Sequence, residues 1–196
     1  MRTQRLITYA FAVCVVSLSA GSAMAQNVSG NPNALLKGTY QISINKSCAD
    51  VPLGFTDPPG RLANGNGYTP NLYFTGVNIY DGNGHVTTTE SGMLISPGPY
   101  IQGSGTVVAF EENCSWTYAV NRDGSFTQEG SCTATDGAYT VTGVKVVGQI
   151  GGGGSVLNLS QRIPPVVETL EFFSNGILVG STKRLSGSAG TAVRIR

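Results

Sequence analysis

The chain has 196 residues, with 12 Lys or Arg against 11 Asp or Glu, one His and 27 Gly. Its formal net charge of +1 is scattered, which excludes the basic footprint of a nucleic-acid binder and a polybasic membrane patch. The length suits one domain with a sizeable core.

The first 25 residues read as a secretory signal peptide. Arg2 and Arg5 form a positive start, Leu6 to Ala20 an apolar run, and Ala23-Met24-Ala25 an A-x-A cleavage site. The run is too short to span a bilayer comfortably. Val13 before Cys14, with most of the apolar run after it, argues against a lipoprotein anchor. Cleavage at Ala25 removes two basic residues and no acidic one, so the mature chain carries a net charge of −1. The expected destination is the periplasm or the outside of the cell. Residues 26–34 read as a flexible lead-in, and 35–196 as a single β domain.

After the leader, long helical periodicity is absent and glycine and β-branched residues dominate. Strand candidates fall at 36–45, 71–80, 85–95, 103–111, 114–121, 125–134, 138–149, 155–160, 166–174, 177–184 and 190–195. Turn signals separate them: Asp81-Gly82-Asn83-Gly84, Gly151 to Gly154, and Asn175-Gly176. Serial hairpins without helical crossovers predict an all-β antiparallel meander. We expect it to close as a small β-barrel, since closure removes exposed edges; a β-sandwich is the alternative. Residues 46–70 form a long Pro/Gly-rich loop, either a lid over a barrel mouth or an insertion without function.

Within the 71–95 hairpin, a two-residue turn puts Tyr73, Thr75, Val77 and Ile79 on one face with Val86, Thr88, Glu90 and Leu94. Glu90 then points with the apolar set. A buried carboxylate is costly unless hydrogen-bonded, so it is a candidate for ligand binding or acid/base work, against an ordinary satisfied carboxylate or a rim position. His85 opens a strand beside the turn and reads as a solvated rim residue.

The stretch CSWTYAVNRDGSFTQEGSC runs from Cys114 to Cys132. Arg122-Asp123-Gly124 fits a three-residue hairpin loop with glycine in the left-handed position. Val120 then faces Phe126, Tyr118 faces Gln128, Trp116 faces Gly130, and Cys114 lies opposite Cys132. Opposed residues bring Cβ atoms within bridging distance, and an exported protein sits in an oxidising compartment, so a structural disulfide is expected. A redox pair, or Cys48 bonding to one of the two, are the other options. Cys48, in the long loop, could be a free thiol, an intermolecular link, or buried and inert.

The segments GTYQISI, IYDGNGHVT and WTYAVNRDGSFT resemble a group of mostly uncharacterised bacterial exported proteins with lipocalin-like or allene-oxide-cyclase-like barrels. The likeness covers most of residues 35–196. It implies the barrel fold, and it permits a cyclase or isomerase; it assigns no catalytic residue.

No Ser–His–Asp elbow, phosphate loop, calcium loop or metal-ligand spacing is present in the sequence, and no cofactor is implied. Tyr40, Tyr73, Tyr80, Tyr118 and Tyr139 could line a lumen or fill a core. Glu90, Trp116, Tyr118 and Tyr73 are the candidate ligand-binding residues. If Asn175-Gly176 is a two-residue turn, Glu168 pairs with Lys183 across it. The first functional reading is a secreted barrel binding a small apolar or amphipathic molecule. The alternatives are a cyclase- or isomerase-like enzyme using Glu90 and a tyrosine, and a surface or matrix interaction protein. An outer-membrane barrel fits poorly, because mixed faces stand where a lipid-facing band is needed. The sequence sets no oligomeric state.

Overall fold

A computed structural model describes residues 30–56, 62–63, 67–96 and 106–196. The signal-peptide expectation lies outside these residues. A short 3-10 helix, Pro32–Leu36, leads into nine strands: β1 Lys37–Val51, β2 Asn71–Asp81, β3 His85–Ser96, β4 Thr106–Val120, β5 Ser125–Ala134, β6 Tyr139–Gly151, β7 Val156–Gln161, β8 Glu168–Ser174 and β9 Ile177–Arg194. Every pairing is antiparallel, and β1 pairs with β9, so the sheet closes.

The nine strands make an eight-position barrel. β7 and β8 share one position: β8 pairs with the start of β6 and the start of β9, and β7 pairs with their ends. At eight positions a barrel is filled by side chains or holds one small ligand. Alternation along the strands puts even-numbered residues of β1 to β5 inward, as in Tyr40, Tyr80, Val86, Trp116 and Phe126, all buried.

One end of the barrel is packed solid. Tyr40 and Tyr80 meet edge to face at 5.4 Å, and Tyr80 and Tyr118 at 5.1 Å. Leu36, Val120, Phe126 and Leu157 complete this floor. The 3-10 helix caps it: Leu36 is fully buried, Asn33 accepts a hydrogen bond from the Val120 N–H, and Tyr118 donates to the Asn33 carbonyl. Residues 31–34, expected to be a loose lead-in, are thus docked across the barrel end.

Several local expectations change. The 103–111 and 114–121 candidates are one strand, β4, and the last two candidates merge into β9. β1 runs on to Val51, because the Cys48 N–H reaches the Pro70 carbonyl and Asp50 pairs with Tyr68. The long loop therefore begins at 52, not 46.

The β2–β3 hairpin differs in register. Tyr80 pairs with Val86, leaving a three-residue loop, Gly82 to Gly84, in place of two residues. The Asp81 carboxylate accepts the N–H groups of Asn83, Gly84 and His85, and both Gly82 and Gly84 take positive φ, which holds this wider turn. One residue of slip reverses a strand's faces. So Leu72, Phe74, Asn78 and Tyr80 face inward with Glu90, while Tyr73 and Ile79 are exposed. A bulge between Phe172 and Phe173 likewise shifts the last hairpin, so Glu168 pairs with Arg184 and Lys183 with Thr169.

Candidate functional site

The 114–132 hairpin positions one wall of the interior. Cys114 and Cys132 are opposed and joined in a disulfide. Trp116 faces Gly130, where a Cβ would lie 2.9 Å from the indole, so the glycine makes room for the ring. Cys48 is a buried free thiol, and burial pushes its pKa up to about 11.

Above the tyrosine floor lies a cavity of about 120 Å³. Its apolar wall includes Ile44, Leu72, Phe74, Phe110, Val141 and Leu170. Glu90 and Trp116 line it. Tyr118 lies below it in the packed floor, and Tyr73 is outside the barrel.

The structure adds Glu112, which the sequence reading passed over, and brings in Tyr139, one of the tyrosines expected to line a lumen or fill a core. Glu112 pairs directly with Glu90 across β3 and β4, both carboxyls are buried, and Tyr139 donates to Glu112 Oε2 at 3.0 Å. Gly76, beside Glu90 on β2, leaves the space its side chain occupies; a Cβ there would sit 2.7 Å from the Glu90 Cβ. Burial, then the hydrogen bond and the charge of Glu112, hold the Glu90 carboxyl well above the ordinary value, with Lys46 pulling the other way. Glu90 is therefore held protonated and hydrogen-bonded to Glu112. Burial and the adjacent Glu112 also raise the Tyr139 phenol, which stays a donor.

Two ion pairs stand beside the carboxyl pair. Lys46 Nζ reaches both Glu168 oxygens at 3.1 and 3.0 Å, and Gln161 and Ser186 also donate to that carboxylate. Arg184 holds Asp50 through two parallel bonds of 2.6 and 2.7 Å. Burial opposes the Arg184 charge, but Asp50 and the neighbouring anions outweigh it, so the guanidinium stays charged.

A hydrogen-bond chain runs under the cavity. The Trp116 indole donates to Thr88 Oγ1 at 2.9 Å. Thr88 donates to Asn78 Oδ1 at 2.7 Å, and the Asn78 amide nitrogen donates to the Tyr80 hydroxyl at 3.2 Å. Tyr80 in turn donates to Gln128 Oε1 at 3.0 Å. The chain ends on the Gln128 NH2, in a buried residue lining the cavity, and among the described residues that nitrogen donates to nothing.

Donor atoms of Glu90, Glu112, Cys114 and Cys132 lie within 4.8 Å of one another. Disulfide bonding removes both thiolates, and the two remaining carboxylates are too few for a structural zinc site. Glu112 was legible by parity alone, two residues before Cys114 on the same face, once β4 is seen as one strand. Tyr139 was among the tyrosines expected to line a lumen or fill a core, but its pairing with Glu112 was not readable, because a bulge at Gly143 (φ 76°) separates its parity from that of the later β6 residues.

No protein-family model matches the chain, and no curated protein matches it. Two solved structures do. One is an S-type phycobiliprotein lyase from Guillardia theta, with 7% identity, a TM-score of 0.27, and coverage of 84% of this chain and 90% of that one. The other is the enduracididine biosynthesis enzyme MppR with HEPES buffer bound, with 11% identity, a TM-score of 0.22, and coverage of 83% and 88%. Overlaps this loose carry no argument about what this chain does. The class is set by its own geometry: a disulfide-bonded antiparallel barrel with one packed end and a partly polar interior cavity. No helix among the described residues is long and apolar enough to cross a membrane.

Proposed function

We propose that this is an exported binding protein that holds one small amphipathic molecule inside its barrel. The cavity over the tyrosine floor carries this reading: an apolar wall with a few convergent polar groups is the usual make-up of a small-molecule site. Its volume suits a single-ring compound, since an engineered apolar cavity of roughly 150 Å³ takes benzene. The leader-like sequence at 1–25 and the disulfide support export, to the periplasm or the outside of the cell.

Native mass spectrometry of mature protein from its own host tests this. A reproducible added mass that leaves on denaturation is the expected result. A bare chain whose Trp116 fluorescence and melting temperature ignore benzene, toluene and indole would overturn it.

One observation favours a second reading, an isomerase-like enzyme. Protonated Glu90, with Glu112 and Tyr139 beside it, could give and take a proton on one wall of the cavity. Proton exchange from a C–H of the bound molecule, lost in Glu112→Gln, distinguishes an enzyme from a carrier.

A further inference from the structure

We propose that the barrel's ligand is an organic cation: a one-ring apolar body bearing an ammonium group for the Glu90–Glu112 pair and an acceptor oxygen for Gln128. The inference rests on the cavity being a binding site, and adds the chemical class of its occupant.

Charge comes first. Among the described residues, the inward-facing charged groups are Lys46 and Asp50 on β1, Glu90 on β3, Glu112 on β4, Glu168 on β8 and Arg184 on β9. β2, β5, β6 and β7 contribute only neutral groups: Asn78, Gln128, Tyr139 and Gln161. Lys46 is matched by Glu168 and Arg184 by Asp50. Opposed and buried, the two carboxyls hold one proton and one negative charge between them, and among the described residues no Lys or Arg forms an ion pair with them. An unmatched charge in an apolar enclosure is costly, and a ligand that brings the opposite charge recovers that cost. An anion would add a second negative charge, so acids are selected against.

Gln128 is an independent pointer. Its amide oxygen accepts from Tyr80, and among the described residues its amide nitrogen donates to nothing, in a residue that lines the cavity. An oxygen on the ligand would give that donor an acceptor. The site thus has an acceptor end at the carboxyl pair, a donor end at Gln128, and aromatic and aliphatic walls between them.

Trp116 is the chain's one tryptophan and lines the cavity, so its fluorescence reports occupancy directly. Mature protein is titrated with benzylamine, benzyl alcohol and toluene. The amine should bind at least about tenfold more tightly than the alcohol, the gain of one charge-assisted contact. Glu112→Gln should remove that advantage. If amine and alcohol bind equally, the cavity is a binding site and the cation inference is wrong. If none of the three binds, both fail. Should Glu112→Gln not fold, the amine-to-alcohol ratio in the unmodified protein decides the question alone.

Discussion

Glu90 and Glu112 are directly paired residues of adjacent strands, and both carboxyls point into the barrel. Like charges cannot both persist there, so folding keeps a proton on Glu90 that the unfolded chain releases near the ordinary value of 4.5. The folded state then binds more protons than the unfolded one above that pH. Stability should fall as pH rises from about 4.5 through the raised folded value, and level off beyond it. Glu90→Gln mimics the protonated acid without needing the proton. Its melting temperature should exceed that of the parent by at least about 2 °C at pH 8, and the gap should close towards pH 4. A constant difference across that range would show that Glu90 is not the proton carrier.

Trp116 and Gly130 form the second close pair. A methyl at position 130 would approach the Ser115 carbonyl oxygen and the Trp116 Cα closer than van der Waals contact permits, and backbone cannot swing aside as a long side chain does. Gly130→Ala should cost about 1–3 kcal/mol, read by chemical denaturation, and should shift the Trp116 emission. An unchanged midpoint would mean that the strands separate freely here, contrary to the tight pairing at the disulfide.

Cys48 is buried beside Arg184 and Asp50, with its thiol pushed up to about 11 mainly by desolvation. The thiolate is the reactive form, so the folded mature protein should take up no thiol reagent at pH 8, and one equivalent after unfolding without reductant. Rapid labelling of the folded chain would place Cys48 at an accessible position and reopen an intermolecular link.

The 114–132 hairpin was readable to the residue because its turn carries one glycine at one possible position, and the cysteines check the register at the far end. The 71–95 hairpin was not. Asp81-Gly82-Asn83-Gly84 offers glycines for either a two- or a three-residue loop, and what selects the longer one is the Asp81 carboxylate gathering three N–H groups. That single residue of slip moved Tyr73 to the surface and brought in Phe74. Glu90 faces inward as expected, though among different neighbours. Lys46 was hidden for another reason: its segment reads as loop by composition, and becomes strand only through pairing with β9 and residues 68–72. Non-local pairing of this kind leaves no local signature.

The Asp50–Arg184 pair joins β1 to β9 at the closure of the barrel, inside the wall, with both side chains nearly free of solvent contact. Its net contribution as a pair is small, because desolvating two ions offsets most of their attraction; breaking it is another matter. Asp50→Asn leaves the Arg184 guanidinium buried with a weaker acceptor and raises the positive charge of the interior by one. The expected loss is about 3–5 kcal/mol in chemical denaturation. Replacing both residues, Asp50→Leu with Arg184→Met, removes the unmatched charge together with its partner, and should restore more than half of that loss. If the double variant is no more stable than Asp50→Asn alone, the two side chains act independently and the closure relies on the backbone ladder and its apolar packing. Recovery would show that the ion pair itself contributes little to stability and that the loss in Asp50→Asn comes from the stranded guanidinium.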